Sequence, residues 1–179
     1  LPAEPLHGFH GRAREMLQLE RALAENRVVV VHGFGGIGKT ALAAEAGRWF
    51  YRTGRFPGGA AFVSFEQGGA LSQLCSWVGQ AVSNDPNFGL GQGDPVERIA
   101  ALLRERPALV ILDNFESVLG RQALMPPEEL KDILEAVWKW AQPGPQARAK
   151  KAKPGQGSRI LITTRDTSFN DARFGPSRS

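Results

Sequence analysis

Four short apolar runs alternate with amphipathic stretches along the chain. The runs cover residues 28–31, 60–65, 108–112 and 159–163 and are rich in valine, isoleucine, leucine and phenylalanine. Continuous apolar runs of this length are typical of strands that helices cover on both faces, as in parallel sheets. The pattern therefore predicts four strands of a parallel sheet.

Between the runs, apolar residues recur three and four positions apart, which predicts helices with one buried face. These residues are Met16, Leu19 and Leu23; Leu42, Ala46, Trp49 and Phe50; Leu71, Leu74, Cys75, Val78 and Val82; and Leu130, Ile133, Leu134, Val137 and Trp138. A further helix is predicted to begin at Asp94, where an N-cap acid precedes Pro95 and Glu97. The predicted order is a helix, then β-α-β-α-α-β-α-β, which indicates a layered α/β domain.

Four residues of the helices have a predicted environment of their own. Trp49 and Trp138 fall on apolar stripes and are expected in the core, whereas Trp140 lies off its stripe and is expected to be exposed or to cover a neighbouring domain. Cys75 also lies on a stripe and is interpreted as a small core residue rather than a nucleophile.

The composition changes this interpretation little. The chain has 179 residues, of which 42% are hydrophobic, and this is consistent with one domain. A single cysteine excludes an internal disulfide framework and a site with several thiolate ligands, which favours the cytoplasm. No apolar run is long enough to cross a bilayer, and the first residues do not resemble a signal peptide.

The net charge of +4 is concentrated in one segment. Residues 142–157 are rich in proline and glycine and carry four cations, Arg148, Lys150, Lys151 and Lys153. Because these four cations equal the whole net charge, a solvated loop is favoured over a nucleic-acid-binding patch. Nucleic acid is therefore not the expected partner.

The residues after the first run spell a phosphate-binding loop. Residues 33–40, here called the glycine loop, satisfy the pattern G-x-x-x-x-G-K-[ST] between a predicted strand and a predicted helix. Glycines allow the backbone N–H groups to converge on phosphate oxygens, and the helix adds its positive end. Lys39 is predicted to neutralise the β- and γ-phosphates, and Thr40 to offer its hydroxyl to Mg²⁺.

Two further polar positions follow apolar runs. Asp113 ends the third run, where a carboxylate is costly unless it is solvated or paired, and magnesium is its obvious partner. Arg165 follows the fourth run at the same predicted sheet edge and could reach a γ-phosphate. The alternative is that Arg165 pairs with a surface carboxylate such as Asp166 or Asp171. No Asn-Lys-x-Asp guanine-reading motif occurs, so adenine is favoured.

Together these motifs resemble the STAND class of signal-transduction ATPases, in particular its NB-ARC or AP-ATPase branch. The resemblance rests on Phe9-His-Gly-Arg12, the glycine loop, Leu-Asp113-Asn-Phe-Glu116 and Ile-Thr-Thr-Arg165, in that order. It implies a P-loop NTPase fold with three α/β/α layers and sheet order 5-1-4-3-2. The 73 residues between Lys39 and Asp113 leave room for the run 60–65, which is expected to separate the glycine loop from Asp113 in the sheet. Residues 1–27 and 28–179 would form one domain, and the fifth strand is expected to be missing after Arg165.

The resemblance also assigns residues to a site for ATP or ADP with Mg²⁺. Asp113 and Thr40 would hold the metal, and Arg165 would sense the γ-phosphate. Phe9, Gly11 and Arg12 would pack over the adenine. The phosphates would bind Gly33, Gly35, Gly36, Ile37, Gly38, Lys39, Thr40 and Ala41.

The residue that activates water is left open. Asn114 follows Asp113 where many ATPases have an acid, and an amide cannot accept a proton from water at neutral pH. Glu116 could serve as the base, or it could be a surface or helix-start acid. Slow or partner-dependent hydrolysis is therefore expected.

Three functions remain to be compared. The first is an ATP/ADP-controlled regulatory switch, which would oligomerise and act with helical, winged-helix and sensor domains that lie beyond this chain. The second is a continuously hydrolysing ATPase that acts on nucleic acid, and the third is a scaffold that binds no nucleotide. Intact Lys39, Thr40 and Asp113 argue against the third.

Overall fold

The computed structural model describes residues 1–3, 9, 11–119, 125–143, 157–166, 168–169 and 171–174. The strands are β1 (Val28–His32), β2 (Ala60–Ser64), β3 (Leu109–Asp113) and β4 (Arg159–Thr164). The α-helices are α1 (Ala13–Glu25), α2 (Lys39–Arg52), α3 (Leu71–Ser83), α4 (Pro95–Glu105) and α5 (Pro127–Ala141). Short 3-10 helices form at Phe88–Leu90 and Phe115–Val118. The predicted order is confirmed, with strand ends that differ by one residue.

The four strands form one parallel sheet in the order β1-β4-β3-β2. This order confirms the 1-4-3-2 part of the predicted topology. The expectation that the run 60–65 separates the two motif strands is wrong, because β4 lies between β1 and β3 and β2 pairs with the far side of β3. Among the described residues after Thr164, no further strand forms. Because all strands are parallel, the ends of β1, β3 and β4 that precede the functional motifs lie at the same edge.

Helices cover both faces of the sheet. Val110, Leu112, Ile160 and Ile162 pack in one cluster with α3, α4 and α5. Leu109, Ile111 and Leu161 point the other way and pack with α1 and α2. Alternate residues of β3 and β4 are buried on opposite faces, which explains why their sequences are apolar throughout. The three-layer α/β/α fold is confirmed.

The predicted start of α4 is confirmed in detail. The Asp94 carboxylate accepts a hydrogen bond of 2.9 Å from the backbone N–H of Val96, and Pro95 occupies the first turn. This bond satisfies one of the backbone donors that a helix start leaves without a partner.

The tryptophan predictions are partly wrong. Trp140 is 1% exposed, and its indole donates a hydrogen bond of 3.1 Å to the carbonyl of Val96. The buried stripe of α5 therefore includes Trp140, while Trp138 is half-buried and packs edge-on against Phe174. Trp49 is 45% exposed, because the neighbouring Phe50 fills the core in its place.

The described helices include none that is long and apolar enough to span a bilayer. The four cations of the predicted basic loop, Arg148, Lys150, Lys151 and Lys153, lie outside the described residues.

Cys75, on α3, lies in the hydrophobic core, as predicted, and is expected to be chemically inert in the folded protein. It is 2% exposed, and burial, followed by the charge of Asp94, raises the pKa of its thiol from 9.0 to about 11. Two pKa units lower the reactive thiolate fraction about hundredfold.

We expect a disulfide reagent at pH 8 to label Cys75 in the native protein at least about hundredfold more slowly than in the urea-unfolded chain. Equal rates would contradict a buried thiol.

Candidate functional site

The glycine loop joins β1 to α2 at the sheet edge. Gly36 and Gly38 have left-handed backbone conformations, with φ of 77° and 84°, and glycine adopts these without the cost that other residues pay. Lys39 begins α2 and is 8% exposed. Its ammonium donates hydrogen bonds to the carbonyls of Gly33 (2.7 Å) and Phe34 (3.0 Å), so its charge lies inside the curve of the loop.

The segment before α1 contacts the loop through Arg12. The Arg12 guanidinium donates to the carbonyl of Gly38 at 3.3 Å and to that of Ile37. Phe9 is half-buried against the cluster formed by α1 and α2, and Gly11 is exposed with a φ of 81°. Of these three predicted residues, the structure brings Arg12 to the glycine loop.

Asp113 ends β3 directly beside the start of α2. The hydroxyl of Thr40 donates to Asp113 Oδ2 at 3.0 Å, and the hydroxyl of Thr163 donates to Oδ1. Asp113 is 1% exposed, and burial raises the pKa of its carboxyl while the two hydroxyl bonds oppose that rise. Carboxylate and hydroxyl oxygens are ligands that Mg²⁺ accepts, so the Thr40 and Asp113 pair fits this metal.

Thr163 belongs to the site but was not assigned from the sequence. Leu112 pairs with Ile162 in the sheet, so the next residues, Asp113 and Thr163, lie side by side. The Thr163 hydroxyl accepts a hydrogen bond of 3.1 Å from the backbone N–H of Asn114. The register of the two strand ends could have indicated this contact.

The chain turns sharply after Asp113. Asn114 has a left-handed conformation with a φ of 56°, and the 3-10 helix Phe115–Val118 follows. The strand alternation therefore stops at Asp113, and Glu116 faces Arg165 instead of continuing the strand pattern. Glu116 Oε1 lies 3.0 Å from Arg165 Nε, and Oε2 accepts a hydrogen bond of 3.1 Å from the Arg165 backbone N–H.

Arg165 lies over the glycine loop. Its guanidinium carbon is 3.0 Å from the place that a Cβ on Gly35 would occupy. The Arg165 carbonyl also lies 3.0 Å from Nε2 of His32, at the end of β1. Arg165 therefore pairs with the carboxylate of Glu116, a partner that was not assigned to it from the sequence.

A cavity of about 390 Å³ lies between the glycine loop, the first turns of α2 and Arg165. Its lining consists of Pro2, Ala3, Gly36, Gly38, Lys39, Thr40, Ala41, Ala44, Arg48, Asn114 and Arg165. Arg48 holds the first residues at its rim by donating to the carbonyls of Pro2 (2.7 Å) and Ala3 (2.9 Å). Two cavities of equal or greater volume, beside β1 and β2, contain none of the predicted site residues. The cavity at the glycine loop is therefore the candidate site because of the residues that line it and not because of its volume.

Comparisons with known proteins agree with this geometry. Residues 22–165 match the AAA domain family. Apoptotic protease-activating factor 1 from Homo sapiens is 31% identical over 168 residues, which cover 89% of this chain and 11% of that protein. A chain in the solved structure of the E. coli MS115-1 HORMA:CdnC:Trip13 complex is 20% identical, with a TM-score of 0.38 over 88% of this chain and 47% of that one. A TM-score this low supports no inference about the fold or function of this chain.

The family match runs from the end of α1 to Arg165 and includes the glycine loop, Asp113 and all four strands. The chain therefore belongs to the AAA domain family and is an AP-ATPase-like nucleotide-binding domain.

Proposed function

We propose that this domain binds ATP and ADP as the switch element of a STAND-type regulatory protein. The observation that carries the proposal is the 3.0 Å contact between the Thr40 hydroxyl and the Asp113 carboxylate. The two residues are 73 positions apart, yet their oxygens meet at the foot of the glycine loop. This contact supports a phosphate site and a metal site that adjoin at the start of α2.

The proposed binding roles follow from the contacts. Backbone N–H groups of residues 33–41 would receive the phosphates, and Lys39 would neutralise them from within the loop. Thr40 and Asp113 would hold Mg²⁺, which when bound neutralises the phosphate charge. Arg12 supports the loop from outside through two carbonyls, and Phe9 and Gly11 would contribute to the adenine side.

Hydrolysis is proposed to be slow. Asn114 offers an amide, which cannot take a proton from water. Both carboxylate oxygens of Glu116 contact Arg165, so Arg165 would have to release one of them before Glu116 could act as the base. These contacts favour a switch over the alternative of a continuously hydrolysing ATPase.

The proposal extends to the longer protein. The chain spans 11% of the length of the human relative that it matches. We propose that helical, winged-helix and sensor domains complete the other side of the nucleotide site, and that nucleotide exchange controls oligomerisation in the cytoplasm. The core shared by α1 and α2, which contains Leu19, Leu23 and Leu42, supports treating 1–27 and 28–179 as one domain.

The switch requires that Arg165 distinguish ATP from ADP. Arg165→Ala is expected to weaken ATP binding about tenfold and to leave ADP binding unchanged, because the charged hydrogen bond is made to the γ-phosphate alone. Calorimetry with Mg²⁺ measures both affinities, and Arg104→Ala, an exposed arginine on α4, is the matched control.

Two results would contradict the proposal. Failure of the wild-type protein to bind either nucleotide would favour the scaffold. Turnover of several ATP per second without a partner would favour the continuously hydrolysing enzyme.

A further inference from the structure

The backbone of Arg165 is held by side chains on both sides. Glu116 accepts a hydrogen bond from its N–H, and His32 contacts its carbonyl at 3.0 Å. The same Glu116 carboxylate pairs with Arg165 Nε. One acidic group therefore holds both the peptide and the guanidinium of Arg165.

Each partner in this contact is anchored in the core by a phenylalanine. Phe115, next to Glu116, is fully buried and packs edge-on against Phe65, with 5.1 Å between ring centroids. Phe169, which follows Arg165, stacks on Phe115 at 5.8 Å. The two chain segments that carry Glu116 and Arg165 are therefore joined beneath the contact as well as through it.

We propose that Glu116 is a positioning residue, which keeps Arg165 over the glycine loop and competes with the γ-phosphate for its guanidinium. The inference rests on the proposed function. Glu116 Oε2, which accepts from the backbone N–H of Arg165, fixes the position of the Arg165 backbone. Glu116 Oε1, which pairs with Arg165 Nε, determines how readily the guanidinium is released. Glu116 thereby tunes how strongly the site prefers ATP over ADP.

The exposure of the two side chains supports release. The Arg165 side chain is 61% exposed, whereas that of Glu116 is 19% exposed. An ion pair with one solvent-exposed partner is weak, so a phosphate that carries more charge than a carboxylate can draw the guanidinium away. Glu116 is the less exposed partner, and the neighbouring Phe115 fixes its backbone in the core.

The test compares Glu116→Gln with the wild-type protein. Glutamine keeps a carbonyl oxygen for the Arg165 N–H but removes the charge that competes for the guanidinium. We expect the ratio of ATP to ADP affinity to rise about threefold to fivefold, as measured by calorimetry with Mg²⁺. In an Arg165→Ala background the same change should leave the ratio unaltered. Glu97→Gln, which removes the ion pair with Lys139, is the matched control.

A second readout needs no nucleotide. In the nucleotide-free protein, NMR should show the Arg165 Nε–H exchanging with water more slowly in the wild type than in Glu116→Gln, with no change in Glu97→Gln. Equal exchange rates would overturn the contact itself, whether or not the protein binds ATP. An unchanged affinity ratio, or a loss of hydrolysis with that ratio unchanged, would overturn the positioning role, and the second result would make Glu116 the base.

Discussion

Lys39→Ala is expected to weaken ADP and ATP binding about hundredfold or more, as measured by calorimetry with Mg²⁺. Lys39 is 8% exposed as a residue, and its ammonium lies within the glycine loop, where it donates to the carbonyls of Gly33 and Phe34. No other described lysine lines this cavity. Removing a charge that contacts the phosphates costs one or two charge-assisted hydrogen bonds, which corresponds to a loss of this size.

The control for this variant is Lys131→Ala, which removes an exposed lysine from α5 at the same change in net charge. It should bind nucleotide as the wild type does. Lys39→Ala should keep the wild-type circular dichroism spectrum, because its contacts are with loop carbonyls that water can reach. Wild-type nucleotide affinity in a folded Lys39→Ala protein would remove the basis for a phosphate site at the glycine loop.

Asp113→Asn should have opposite effects on activity and stability. Loss of the carboxylate removes the proposed metal ligand, and ATP hydrolysis is expected to fall about hundredfold or more. The nucleotide-free protein, measured without Mg²⁺ at pH 7, should instead unfold at a higher temperature. A near-isosteric amide still accepts a hydroxyl hydrogen bond and carries no charge into the core.

The stability gained in Asp113→Asn is expected to depend on pH. Burial raises the pKa of Asp113, so the folded protein keeps this proton to a higher pH than the unfolded chain does. The stability contributed by protonated Asp113 is complete below the unfolded pKa and is lost as the pH rises through the folded pKa. The gain in Asp113→Asn should therefore grow with pH and vanish in acid, as thermal unfolding between pH 3 and 8 would show.

An exposed acid provides the comparison. Asp132→Asn on α5 should leave both hydrolysis and the pH profile of stability unchanged. If Asp113→Asn were less stable than the wild type at pH 7 without metal, the carboxylate would be contributing net stability, and a functional reason for its burial would no longer be needed.

The fold and the glycine loop were predictable because their signals are local. Four apolar runs, each continuous in sequence, gave the strands to within one residue at their ends. Asp94 and Pro95 marked the start of α4 by their own chemistry. Asp113 was predictable because the carboxyl ends of parallel strands meet at one edge, so a polar residue at the end of an apolar run lies near the loop.

The side-chain environments that were missed depend on distant parts of the chain. Trp140 is buried because the carbonyl of Val96, 44 positions away, accepts its indole hydrogen bond. Thr163 became a site residue through the register between β3 and β4. Neither relation is visible in the spacing of residues within one helix or one strand.

Asn114 shows how a conformation can mislead an inference from residue type. The sequence interpretation treats it as a missing acid beside Asp113. In the structure it has a φ of 56°, a conformation that asparagine accepts more readily than most residues. The same turn redirects Glu116 toward Arg165, which no strand alternation could have indicated.

Gly35, Gly36 and Gly38 of the glycine loop are constrained in different ways. Gly36 and Gly38 are required by their own backbone angles, but Gly35 is not among the residues with positive φ. What a methyl group at position 35 would meet is the guanidinium of Arg165, at 3.0 Å. A methyl group at position 35 would require a residue 130 positions later to shift, so the tolerance of this position to alanine depends on the freedom of the Arg165 side chain and not on the backbone angles of the loop.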